Sequence, residues 1–306
     1  MQFSGNVAYT KQREWEQYLM PKTLSEALTL LSDYKGEARI IAGGTDLVVQ
    51  GRGGTVKAKV LVDITRIPGL DHIILDNETI RIGCLVTHTL IAESSLIREK
   101  AAALCEGASK LGSPQIRNVG TVAGNIANAQ PGADTTIPLL ALGASIKVVS
   151  REGERVIPLT ELFTGVGTTS IDSTREIVTE VTFPAPGDNE ASAALRLAKR
   201  KALVLPILTV AVAVRADLKK GIFTSARIAV GPVAATPLRC EAAEGVLSGS
   251  PISDEVIKRA AAAAAGASNP RTSLIRGTRE YRQAMVAVLV ERAVKSALTR
   301  VEGKNG

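Results

Sequence analysis

Two glycine-centred segments, about 75 positions apart, constrain this chain more than any other feature. They are Ala42-Gly43-Gly44-Thr45-Asp46-Leu47 and Thr121-Val122-Ala123-Gly124-Asn125. Each adjoins an apolar run, and the second leads through Ala127-Asn128-Ala129-Gln130-Pro131-Gly132-Ala133-Asp134 into Leu139-Leu140-Ala141-Leu142. A glycine has no Cβ to block a close approach or to forbid positive φ, so its backbone can turn N–H groups toward a ligand. Such a segment can hold a phosphate or pyrophosphate. Two of them suggest a dinucleotide gripped at both ends.

The surrounding pattern is that of a mixed α and β chain. Thr23-Leu24-Ser25-Glu26 reads as a capping box for a helix through Ala27 to Leu31 that Gly36 can end. Ala38 to Ala42 and Val60 to Ile64 are short buried strands, and Thr79 to Gly83 alternates as a half-exposed one. Ser94 or Ser95 can cap one long helix through Ile97, Ala101, Leu104, Ala108 and Leu111, stopping at Gly112 and Ser113-Pro114. Asp134 is expected to cap a helix from Thr135 to Leu142, with Pro138 in its first turn. Ser145 to Val149 and Arg155 to Pro158 form a hairpin around Arg151-Glu152-Gly153. Pro184-Ala185-Pro186-Gly187-Asp188-Asn189 reads as a linker. Beyond it, Leu203 to Val214 and Ala226 to Val230 are antiparallel strands joined through Lys219-Lys220-Gly221, and helices follow over Asp254 to Ala267 and Arg279 to Leu298. The expected domains are 1–187 (subdomains about 1–60 and 61–187) and 188–306.

Composition and missing motifs narrow the function. Aromatic residues are only 3% of the chain, which argues against nucleic-acid recognition by base stacking. The net charge of +7 is spread over short groups such as Lys199-Arg200-Lys201 rather than one basic arm, which fits a solvated surface or, more sharply, an anionic cofactor or acidic partner. Cys84, Cys105 and Cys240 are too few for a four-thiolate cluster, and their odd number argues against a disulfide framework. No Walker Gly-x4-Gly-Lys motif, Gly-x-Ser-x-Gly elbow or Gly-x-Gly-x-x-Gly at the first loop is present. Two histidines, His72 and His88, cannot build a histidine-rich metal site, and His88, placed at a strand end, reads as structural. The start at Met1 to Asn6 carries no basic segment before an apolar stretch, and the longest apolar run, Ala202 to Val214, is too short to span a bilayer. A cytoplasmic protein with no transmembrane segment is expected. Thr45, Asp46, Thr121, Asn125 and Asp134 can orient polar groups on a ribose, ribityl chain or phosphate, and Arg117 and Arg196 are candidate cations.

The run Arg117 to Ala129, with Pro131 and Asp134, resembles the second flavin-binding loop of molybdenum hydroxylase flavoproteins, the medium subunits of the carbon monoxide dehydrogenase, xanthine dehydrogenase and hydroxybenzoyl-CoA reductase group. Ala42 to Leu47 resembles that family's first flavin loop. The likeness continues at Thr87-His88, Leu162 to Gly167, Glu176-Ile177-Val178, Ala226 to Ala234 and Glu280-Tyr281-Arg282, and so covers about residues 20 to 300. It implies an α+β chain: a FAD-binding PCMH-type fold with two α/β subdomains, then a C-terminal α+β domain of antiparallel strands and helices. It also implies non-covalent FAD, held by Ile40, Ile41, Ala42, Gly43, Gly44, Thr45, Asp46, Leu47, Leu111, Thr121, Val122, Ala123, Gly124, Asn125, Asp134, Val178 and Arg196. Ala123 stands where relatives usually have glycine, and Arg196 where lysine is common. The cysteines do not support the iron–sulfur insertion found in the benzoyl-CoA reductase branch.

By that resemblance the chain is the FAD subunit of an oxidoreductase complex, with no catalytic residue and no metal of its own. A large molybdopterin subunit and a small subunit with two [2Fe–2S] clusters would be its partners, in a dimer of heterotrimers, and electrons would leave to an external acceptor. Flavin carries the redox chemistry, so no acid–base dyad is needed. The alternatives are a stand-alone FAD-dependent oxidase or reductase acting on a small substrate, a non-catalytic assembly subunit and, last, a nucleic-acid binder. Valine at Gly44 or Gly124 is expected to yield apo-protein.

Overall fold

The computed structural model describes residues 15–200 and 203–305. The Met1 to Asn6 start and the Lys201-Ala202 step lie outside the described residues. Chain order begins with β1 (Gln17–Leu19), α1 (Leu24–Asp33), β2 (Ala38–Ile41), α2 (Leu47–Arg52) and β3 (Val60–Asp63). These strands form a parallel sheet in the order β1–β3–β2. The capping box is present with one change of partner. Thr23 Oγ1 accepts from the Glu26 amide at 3.1 Å, while the Glu26 carboxylate accepts from the amide of Lys22, not Thr23, at 2.8 Å. Ala27, Leu28 and Leu31 then bury one stripe of α1 against the sheet.

The middle of the chain holds β4 (Ile73–Asp76), β5 (Thr79–Gly83), α3 (His88–Glu93), α4 (Ser95–Lys100), α5 (Ala102–Lys110), α6 (Pro114–Arg117), α7 (Val122–Ala127), α8 (Thr136–Ala141), β6 (Ser145–Ser150), β7 (Gly153–Pro158), α9 (Leu159–Leu162), β8 (Phe163–Gly165), β9 (Thr168–Thr169) and β10 (Ile177–Pro184). Its five-stranded antiparallel sheet runs β4–β5–β10–β6–β7. The expected single helix from Ser94 to Leu111 is broken. Ser94 does cap α4, but Ala101 takes φ −136° and ψ 55°, ending α4 and starting α5. The break lets the amide of Ala103, at the head of α5, donate to Ser192 Oγ at 3.2 Å, a bond to a distant strand that periodicity cannot show. Nor is the second glycine segment a loop: Thr121 caps α7, and Gly124 lies within that helix.

The last part contains β11 (Glu190–Leu197), β12 (Leu208–Asp217), β13 (Ile222–Gly231), β14 (Leu238–Arg239), α10 (Glu241–Leu247), α11 (Asp254–Ala267) and α12 (Arg279–Asn305). The strands form an antiparallel sheet in chain order. β12 starts at Leu208 and not at Leu203, because Leu203 takes a left-handed φ of 51° and Pro206 has no N–H for a ladder. The two faces of this sheet differ. Val210, Val212, Val214, Ile228 and Val230 join the core under α10, α11 and α12, whereas Ala194, Ala211 and Ala229 join the middle core beside α5 and α8. Strands buried on both faces hold the last part firmly against the middle one. The architecture is α+β. No helix among the described residues is long and apolar enough to cross a membrane.

Candidate functional site

One cavity of about 1740 Å³ is bordered by β2, by β9 and β10, and by the Pro232 to Ala235 segment that follows β13. Its first wall is the turn from the end of β2 to the head of α2. Gly44 takes φ +66°, and Gly43 packs so tightly on Val119-Gly120, which lead into the second segment, that a Cβ there would lie 1.8 Å from the Val119 carbonyl oxygen. The first segment therefore rests on the approach to the second. They form one cradle rather than two grips at opposite ends of a ligand.

Among the described residues, the backbone N–H groups of Gly43, Gly44, Thr45, Asp46 and Leu47 make no hydrogen bond to protein, and Asp46 supplies no side-chain cap to α2. Five successive free donors at a turn are suited to an anionic oxygen cluster. The Asp46 carboxyl is pushed up from its ordinary pKa by burial, against which a hydrogen bond with Asn128 pulls it down. Gln50 Nε2 ties α2 to Asn128 Oδ1 at 2.7 Å. Asn125 Oδ1 accepts from the hydroxyls of Thr135 (2.7 Å) and Thr136 (3.2 Å), which fixes α7 against α8.

Asp134 does not cap its helix. Thr135 occupies the cap position without a side-chain bond, and Asp134 Oδ1 instead accepts from Arg196 Nε at 2.9 Å and Thr209 Oγ1 at 3.4 Å. The two side chains are 9% and 7% exposed, so a buried ion pair 62 positions apart in sequence has drawn the carboxylate away from the helix end. Burial pushes the Asp134 carboxyl up, and Arg196 opposes the shift. Arg196 also donates to the Val204 carbonyl.

The cavity is bordered by Ile40, Ile41, Ala42, Gly43, Gly44, Thr45, Asp46, Leu47, Leu111, Thr121, Ala123, Gly124, Asn125, Asp134 and Val178. Two of the expected residues lie elsewhere. Val122 is buried in the middle core, and Arg196 stands behind Asp134 rather than on the cavity wall. His88 is no strand-end residue: it opens α3, is 2% exposed, borders the cavity and has a buried Nδ1 with no partner. Burial, with Arg117 nearby, lowers its pKa to about 4, so the imidazole is neutral. Sequence reasoning also missed the far wall, where Arg271, Arg276, Arg279 and Arg282 stand. Only the run Glu280-Tyr281-Arg282 had pointed there. No group of three or more His, Cys, Asp or Glu among the described residues could hold a metal ion.

Comparison with known proteins bears on this cradle directly. Residues 11–186 match the model of the FAD binding domain in molybdopterin dehydrogenase. The chain belongs to that family. Residues 193–297 match the CO dehydrogenase flavoprotein C-terminal domain, and the chain is thus a FAD-binding flavoprotein of the molybdenum hydroxylases, a component of an oxidoreductase. Among relatives, the xanthine dehydrogenase FAD-binding subunit of Escherichia coli O157:H7 is 31% identical over 95% of this chain and 99% of its own length. The carbon monoxide dehydrogenase medium chain of Hydrogenophaga pseudoflava is 32% identical over 93% of this chain and 97% of its own. The solved structure of carbon monoxide dehydrogenase from Hydrogenophaga pseudoflava superposes with a TM-score of 0.88 at 31% identity, covering 94% of this chain and 98% of that one. The free amides at Gly43 to Leu47 are donors of the kind that the diphosphate of a FAD needs.

Proposed function

We propose that this chain is the electron-transfer subunit of a multi-subunit molybdenum hydroxylase, receiving electrons from [2Fe–2S] clusters of a small partner subunit and passing them to an external acceptor. A large molybdopterin subunit oxidises the substrate, and the complex is a dimer of heterotrimers in the cytoplasm. The observation that carries this reading is the cradle of five unpartnered amides opening into a cavity bordered by β2, β10 and the segment after β13. Relatives named as FAD subunits and medium chains of xanthine, carbon monoxide and nicotinate dehydrogenases support the assembly.

In this reading the amides of Gly43 to Leu47 bind the diphosphate, and Thr45, Thr121 and Asn125 orient its neighbours. Ile40, Ile41, Ala42, Leu111, Ala123, Gly124 and Val178 exclude water from the walls. Asp134, held by Arg196, keeps the β11–α8 side of the cavity in place, and Val122 supports α7 from beneath. Bound FAD supplies the redox centre, able to accept electron pairs and release them singly. The residues divide into a FAD-binding part over 1–187, with subdomains about 1–60 and 61–187, and a C-terminal domain over 188–306.

The test is the visible spectrum of the purified full chain before and after incubation with FAD and gel filtration, repeated with co-expressed neighbouring subunits. Close to one equivalent of flavin, released as FAD and not FMN, and bleached by substrate only when the partners are present, is the expected result. Flavin bleached by a small substrate with no partner present would instead make the chain a stand-alone oxidoreductase.

A further inference from the structure

The cavity has a second end. Its C-terminal wall carries Arg271, Arg276, Arg279 and Arg282, and it carries no carboxylate. The three carboxylates that border the cavity, Asp46, Asp134 and Glu176, all lie in the first 187 residues. Of these, Asp134 is engaged by Arg196 and Glu176 by Arg155. Among the described residues, none of the four wall arginines forms an ion pair, and the guanidinium groups of Arg271, Arg276 and Arg279 make no hydrogen bond.

Arg282 is 3% exposed, and its terminal nitrogens donate to the carbonyls of Arg271 (2.8 Å), Ile207 (3.4 Å) and Pro232. Its Nε is buried without a partner. A full positive charge is thus buried against carbonyl dipoles alone, with Arg276 close enough to add repulsion to the effect of burial. An unpaired buried charge of this kind is costly unless something neutralises it. The nearby head of α12 adds the positive end of its dipole. Its first amides are already taken, by Thr272 for Arg279 and by Thr278 for Tyr281, so guanidinium groups and not amides face the cavity. Glu280, the one acidic residue of that turn, does not border the cavity.

We propose that this arginine wall is a second anion subsite, which seats the phosphate groups of a small phosphorylated molecule beside the FAD. The inference rests on the reading that FAD fills the glycine cradle. The cavity of about 1740 Å³ runs from the glycine cradle to the arginine wall. Several arginines match a diphosphate, with two or more negative charges and oxygens for bidentate pairing, better than a single carboxylate. Arg282 is buried and Arg276 half-buried in this wall, with Arg271 and Arg279 exposed beside them, so the charge runs from the cavity interior out to its mouth.

The experiment is calorimetric titration of the FAD-loaded full chain with inorganic pyrophosphate at low salt, with flavin content recorded alongside. Saturable one-to-one binding is expected, weakened about threefold or more in Arg279→Gln and about tenfold or more in the Arg276→Gln/Arg279→Gln pair, with flavin retained in both. Lys220→Gln, on the distant β12–β13 turn, removes one charge and should leave the binding unchanged. No binding to the loaded chain, equal weakening by Lys220→Gln, or binding of polyglutamate but not pyrophosphate overturns the proposal. Loss of flavin together with pyrophosphate in the double variant also overturns it, by assigning the arginines to the FAD site. A wild-type chain that takes up no FAD sinks the preceding reading instead, while arginine-dependent pyrophosphate binding by that chain still supports the anion site.

Discussion

At Gly43 the approach of another part of the backbone decides the residue, and at Gly44 the backbone dihedral does. Alanine at Gly43 sets a methyl carbon 1.8 Å from the Val119 oxygen, so one of the two segments must move. Alanine at Gly44 meets only side-chain atoms, Ile41 Cδ1 at 3.0 Å and Ile41 Cγ1 and Val48 Cγ2 at 3.4 Å, but must hold φ +66°, at a cost of about 1–2 kcal/mol. Gly43→Ala is therefore expected to lose FAD, and Gly44→Ala to keep part of it, when flavin-to-protein ratios are compared after gel filtration. Breaking the Asp134–Arg196 pair leaves one charge buried, and Arg196→Met should cost about 3–5 kcal/mol in urea denaturation. His88 gives a pH dependence of known sign. Its folded pKa of about 4 lies below the usual 6.5, so the stability it contributes is present above pH 6.5 and is lost as pH falls toward 4. The chain should be about 2 kcal/mol less stable at pH 5 than at pH 7 on this account, and His88→Gln should flatten that part of the curve. Gly44 was legible because its positive φ is a local property, whereas the Val119 contact that decides Gly43 lies in a distant part of the chain. The partner of Asp134 was not legible either, since it is a strand residue 62 positions away.

Among the elements, long ones with strong periodicity or caps were readable, and α11 has the expected bounds of Asp254–Ala267. The hairpin β6–β7 turns where Arg151-Glu152 predicted. Helices of six residues, such as α2, α3 and α7, show too few turns for periodicity to register and draw their order from the cavity walls. In α7 the cap matters more than the body. Thr121 Oγ1 accepts from the Gly124 amide at 3.1 Å, and Thr121→Ala should cost about 1 kcal/mol and loosen the second wall of the cradle. Faster amide exchange in Ala123 to Asn125 than in α8 would report it; unchanged exchange would show that tertiary packing alone holds this helix. The break at Ala101 belongs to the same class of surprise, set by a bond from Ala103 to Ser192 that no local rule contains.

Across the whole molecule, the low aromatic content leaves three aliphatic cores, and Cys84 and Cys240 are buried within two of them. Burial pushes both thiols up to about 12, so neither should react with iodoacetamide until the chain unfolds. The antiparallel sheet and its two helices could be anticipated from sequence, but not that all its buried valines and isoleucines join one core while the residues it gives the other are alanines. That asymmetry acts as a spacer. Ala194, Ala211 and Ala229 set the gap between the sheet and α5 and α8, and the cavity opens between walls attached to either side of that gap. A bulkier side chain here works as a shim far from any ligand: Ala211→Val would tilt the arginine wall away from the glycine cradle, altering how two occupants fit together without touching either.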